Sequence, residues 1–92
     1  MSMDKREFVT HCGVEVQVLE VWLEQRWIVP EDTPSGPAFS DVDVARVRLI
    51  QDLSGELGVN DAGVDVILHL VDQLHGLRHA LAAVRGSDVE QK

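Results

Sequence analysis

Apolar residues recur at helical spacing in four stretches of this chain, with turn formers between them. The first stretch runs from Asp4 to Cys12, with Phe8, Val9 and Cys12 as its apolar face. Gly13 suits the left-handed position that stops a helix, and Val14 is the apolar plug of the turn. Glu15 to Gln25 forms the second stretch, with Val16, Leu19 and Leu23 in phase. Glu15 is not a preferred N-cap, although its charge suits a first helical turn. Two short helices joined by Gly-Val predict a helix-turn-helix.

Trp27, Ile28 and Val29 form a β-prone run closed by Pro30. Glu31 to Pro37 is dense in turn formers, so Ala38-Phe39 is expected to pair back as the second arm of a small wing. Pro37 has no N–H, which keeps that arm short or at an edge. Ser40 is a strong N-cap, with Asp43 where a capping box carries Glu. Val42, Val44, Val47, Leu49, Ile50, Leu53 and Leu57 supply the third helix's apolar stripes. Gly55 inside it costs roughly 1 kcal/mol against Ala and loosens the last turn. Gly58 stops this helix, Val59 turns inward, and Asn60 caps the next.

The fourth helix is expected from about Asp61 to about Val84. Ile67, Leu70, Leu74, Leu77, Leu81 and Val84 are spaced three, four, three, four, three, which is a heptad seam. Leu68 and Val71 widen the stripe in its first half. Beyond Leu74 no sequence remains to cover the seam, so those six positions predict a homodimer. The expected organisation is one mostly α domain. Residues 1–60 form a winged helix-turn-helix with a short two-stranded wing. Residues 61–85 form a long C-terminal dimerisation helix, and residues 86–92 a frayed tail.

Composition narrows the function. Ninety-two residues, 45% of them hydrophobic, allow one small domain that gains from an oligomer interface. Sixteen acidic residues against eight basic give a net charge of −8. DNA binding rests on Lys and Arg neutralising phosphates, so this balance opposes it and suits a basic protein partner. The single cysteine, Cys12, excludes an intramolecular disulfide and a four-cysteine zinc site. No apolar run approaches the roughly 18 residues of a membrane span. The first residues lack the pattern of a signal peptide, and a reducing cytoplasm is the expected compartment.

The order of motifs resembles a MerR-type DNA-binding domain. Cys12-Gly13-Val14-Glu15 stands where MerR proteins carry Thr-Gly-Val-Ser, and Trp27-Ile28-Val29-Pro30 stands at their Gly-Leu-Leu-Pro exit. Gly13, Val14, Leu19 and Pro30 match the scaffold of that family. The DNA-facing positions depart from it. Gln17 and Glu20 replace arginines, Val21 replaces a tyrosine, and Gly36-Pro37-Ala38-Phe39 replaces a wing that carries arginine. Carboxylates at such positions repel phosphates.

The second half is closer to the chaperone-modulator (CbpM-type) family, which is similar to MerR domains. Gln51 to Glu56 gives one residue more than MerR proteins have between Ile50 and Leu57-Gly58. Leu57-Gly58-Val59-Asn60, followed by Gly63, Val64, Val66, Leu68, Leu70 and Asp72, looks like the modulators' signature. The resemblance covers roughly residues 7 to 80. It implies binding to the J-domain of a DnaJ-like (CbpA-type) co-chaperone, and inhibition of its work with a DnaK-type chaperone. The J-domain face that meets the chaperone is basic, so an acidic binder competes for it. The alternative is a MerR-family DNA-binding regulator, and a third reading is a bare dimerisation module.

Two acidic surfaces are candidates for the partner. The first joins Glu15, Glu20 and Glu24 to Val21 and Trp22 on the second helix, and is preferred because a helix freed from DNA is open to another task. Trp22 fits a core position better than an anchor, while Trp27 is expected in the wing. The second surface is Asp61, Asp65 and Asp72. Asp72, His75 and His79 share a face at metal-ligand spacing, but a solvated face is the preferred reading and no metal is expected. His11 and Cys12 are adjacent on a helix and point apart, with no third group to orient them, so catalysis is not expected. No cofactor is implied.

Overall fold

The computed structural model of the chain describes residues 2–90, with side chains through residue 85. Two compact units divide at Asn60 and Asp61.

In the first unit, helix α1 (Lys5–Cys12) opens on a reciprocal cap. The Glu7 N–H donates to Asp4 Oδ1 at 2.8 Å, and the Asp4 N–H donates to Glu7 Oε1 at 3.2 Å. It closes on Gly13 at φ 67°, where the Gly13 and Val14 N–H groups both donate to the Val9 carbonyl. Helix α2 (Val16–Glu24) starts after Glu15, whose side chain makes no cap bond. Leu19 and Trp22 are its buried face.

The exit from α2 corrects the sequence reading. Trp27, Ile28 and Val29 form no strand. Arg26 takes a left-handed φ of 62°, and the Trp27 N–H turns back to the Trp22 carbonyl at 2.9 Å. The Ile28 N–H reaches the same oxygen at 3.4 Å. Backbone donors spent on closing a helix cannot join a sheet ladder. Trp27 and Ile28 are buried all the same, and the Arg46 Nε donates to the Trp27 carbonyl.

The wing therefore lies further along, as β1 (Glu31–Thr33) paired antiparallel with β2 (Gly36–Ala38). Pro34-Ser35 is the connection. Thr33 pairs with Gly36, Asp32 with Pro37, and Glu31 with Ala38. Hydrogen-bonded pairs alternate along such a ladder from the closing pair. Pro37 thus occupies a position where its missing N–H is not needed. Phe39 faces the other way and exchanges both backbone bonds with Met3 at 2.8 Å each.

Helix α3 (Asp41–Gln51) begins at Ser40, whose N–H donates to the buried Asp43 carboxylate at 2.9 Å. It continues into a π-helical turn, Asp52–Glu56, which contains Gly55. The Leu57 N–H reaches the Asp52 carbonyl there at 3.1 Å. Val47, Ile50 and Leu53 are buried, but Val42 and Leu57 are exposed, contrary to the stripe read from sequence. Val42 lies in the first turn, and Leu57 follows a turn that has left α-helical phase. The core of this unit centres on Phe8 and Phe39, whose rings stack with centroids 4.3 Å apart and planes 16° apart. The first unit is a winged helix-turn-helix.

The second unit is helix α4 (Asp61–Glu90), which continues past Val84, where the sequence pattern ends it. The expected frayed tail falls partly outside the described residues, at 91 and 92. Val64 and Leu68, four apart on one stripe, are buried. No helix among the described residues is long and apolar enough to cross a membrane.

The left-handed Arg26 yields a stability prediction. An L-residue in that region costs roughly 1–2 kcal/mol, and glycine removes the cost while adding freedom to the unfolded chain. Arg26→Gly should raise stability by about 0.5–1 kcal/mol net. The urea midpoint measures it, and a lower midpoint would contradict the argument.

Candidate functional site

In a winged helix-turn-helix, the second helix of the motif is the one presented to a partner. Helix α2 turns Leu19 and Trp22 inward, which leaves a broad outward face. Val16, Val18 and Val21 lie exposed on that face, with Val21 half accessible at 51%. Glu15, Gln17, Glu20 and Glu24 are exposed around them. Between Val16 and Glu24 there is no Lys, Arg or His. The surface is apolar at three points and acidic at its margins.

These side chains are not equally available. Glu20 forms an ion pair with Lys5 of α1, so one carboxylate is already partnered within the chain. Among the described residues Glu24 and Glu15 have no such cation. Trp22 is buried at 9% exposure and belongs to the core, so it is withdrawn from the candidate surface. Sequence reasoning missed Val16 and Val18 as surface residues. Their signal was present, because a nine-residue helix that buries Leu19 and Trp22 must leave other apolar positions outside.

The second acidic set divides. Asp61, Asp65 and Asp72 are all exposed on α4, and Asp65 and Asp72 already take part in interactions of their own. His75 and His79 are exposed as well. Among the described residues no group of His, Cys, Asp or Glu is arranged to hold a metal ion. On the seam, Ile67 is half-buried, while Leu70, Leu74, Leu77, Leu81 and Val84 are exposed, Leu77 at 69%. An apolar row of that length on one helix face is unusual for a surface left in water.

Cys12 sits at the end of α1, half-buried, and burial pushes its thiol above the ordinary range. A raised pKa means less thiolate and a slower nucleophile at neutral pH. Cys12 should therefore react with iodoacetamide more slowly in the folded protein than in urea at pH 8, by mass spectrometry of the adduct. The sign for stability follows from the same shift. The folded state holds the thiol proton more tightly, so its contribution is full below the unfolded pKa and lost as pH rises through the folded one. Equal rates in both states would remove the burial effect.

A family model described as MerR HTH family regulatory protein matches residues 3–85. Neither the curated proteins nor the solved structures compared with the chain include a match.

Proposed function

The chain belongs to the MerR helix-turn-helix regulatory family, and from that premise we propose that it is a chaperone modulator rather than a DNA-binding regulator. It would occupy the J-domain of a DnaJ-like, CbpA-type co-chaperone and inhibit that protein's work with a DnaK-type chaperone. The observation that carries this reading is the outward face of α2. Where a DNA-binding member needs cations, this chain presents Val16, Val18 and Val21 among Glu15, Glu20 and Glu24. Phosphates are repelled by such a face, while a basic helical surface is attracted to it. The Asp52–Glu56 π turn supports the same reading, because a π turn is the way a helix takes up one extra residue. One extra residue in that gap is the spacing in which the sequence is similar to the modulators. Regulation by binding needs neither cofactor nor catalytic residue, and its natural setting is the cytoplasm that houses the chaperones.

Charge and apolar contact would divide the work. Exposed ion pairs are worth only about 0–1 kcal/mol each, so Glu15 and Glu24 set on-rate and specificity. Affinity comes from burying Val16 and Val21. Glu20→Lys is a poor test, because it would set a second ammonium beside Lys5. Glu15→Lys with Glu24→Lys leaves that pair intact. The double variant should slow association with the J-domain of the organism's own co-chaperone several-fold at low salt, read by stopped-flow fluorescence. An unchanged rate would rule out the α2 face, and no binding by the wild type would remove the function. Enrichment of a palindromic duplex in a DNA selection would favour the regulator instead.

A homodimer through α4 completes the proposal. Burying a Leu fully is worth roughly 1.5–3 kcal/mol, and association costs roughly 4–15 kcal/mol. Six seam residues from each copy, most of them exposed, are enough to exceed that cost. Leu77→Asp with Leu81→Asp should give a folded monomer by light scattering. A wild type that is monomeric at micromolar concentration would refute the dimer.

A further inference from the structure

The −8 chain carries one cleft whose lining has no carboxylate. It lies between the end of α1 and one face of α3, has a volume of about 140 Å³, and is lined by His11, Cys12, Val44, Val47, Arg48 and Gln51. Acidic residues outnumber basic ones two to one in the sequence, yet here an arginine and a histidine line the walls without any acid. The Arg48 side chain forms no hydrogen bond or ion pair among the described residues, and neither does that of His11 or Gln51. A guanidinium fork with no internal partner, beside a free amide, is a ready acceptor site for a planar oxyanion.

The α3 wall is graded. Val44, Val47, Arg48 and Gln51 are one helical stripe, so it runs from apolar to polar over roughly 10 Å. A phosphate, polar on every side, would leave the valine end unused. A cavity of ~150 Å³ holds a ligand of benzene size, so this cleft has room for about six heavy atoms. We propose that it binds a short-chain carboxylate, its head on Arg48 and Gln51 and its alkyl tail against Val44, which is half-buried while Val47 is buried behind it. The cleft lies away from the outward face of α2 and needs no partner protein, so it stands independently of the modulator reading.

The test is an amide and arginine side-chain NMR titration of the full chain with sodium butyrate, against sodium chloride at equal ionic strength. Saturable shifts are expected at Cys12, Val47, Arg48 and Gln51. Arg48→Ala should weaken binding about tenfold or more, the loss typical of a charge-assisted hydrogen bond, with spectral dispersion showing that the fold is intact. Val44→Ser should weaken butyrate but not acetate. N-acetylglutamic acid amide distinguishes the source: tighter binding than butyrate assigns the cleft to an acidic side chain of a peptide, weaker binding to a free acid. Shifts that grow linearly with butyrate, that persist unchanged in Arg48→Ala, or that inorganic phosphate reproduces at equal affinity would overturn the proposal.

Discussion

The stack of Phe8 on Phe39 is the contact that the first unit is built around. Both rings are fully buried, 4.3 Å apart and nearly parallel. Each belongs to a different part of the chain, and the backbone around Phe39 multiplies the effect. Its N–H and carbonyl are tied to Met3, Ala38 before it pairs with Glu31, and Ser40 after it caps α3. One residue thus ties the N-terminal segment, the wing and the start of a helix to α1. Helix α2 follows α1 through a turn fixed by the left-handed Gly13. The direction in which the valine and glutamate face points is inherited from this aromatic contact and from that turn.

Helices were legible in the sequence because burial imposes a period and caps leave short local signatures. Ser40 with Asp43, and Gly13 and Gly58, all mark ends that the backbone takes. The wing was displaced because β-propensity was read where a helix needed donors. Trp27 and Ile28 are apolar and buried, which the composition announced, but their N–H groups go to the Trp22 carbonyl. No periodicity encodes an arginine at left-handed φ, which is what sends the chain back at that point. The candidate site was half legible. Glu15, Val21 and Glu24 lie where the pattern placed them, whereas the Lys5–Glu20 pair joins residues whose nearness only the fold creates.

Electrostatics and packing act on α2 in the same direction. A recognition helix for nucleic acid would hold cations outward and tolerate few apolar residues there. Here two flanking cations do not serve that face. Lys5 is paired with Glu20, and Arg26 lies past the end of the helix. What remains exposed is β-branched and acidic. Such a surface gains little from water-filled grooves lined by phosphate and gains area from a partner that brings both apolar side chains and positive charge.

The π turn lets the end of α3 change phase while the core stays in place. One extra residue in a regular helix would rotate everything after it by about 100°. Asp52–Glu56 takes the wider π geometry, closed by the Leu57 N–H on the Asp52 carbonyl. Leu53 keeps its buried place, and the Val59 N–H still finds an acceptor in the Leu53 carbonyl at 2.8 Å. The displaced side chain is Leu57, left 70% exposed before Gly58 takes its left-handed turn. Gly55, a residue poorly suited to a regular helix, lies where that regularity is abandoned. The backbone therefore keeps Leu53 in the core and moves the change of helical phase to the surface, at Leu57.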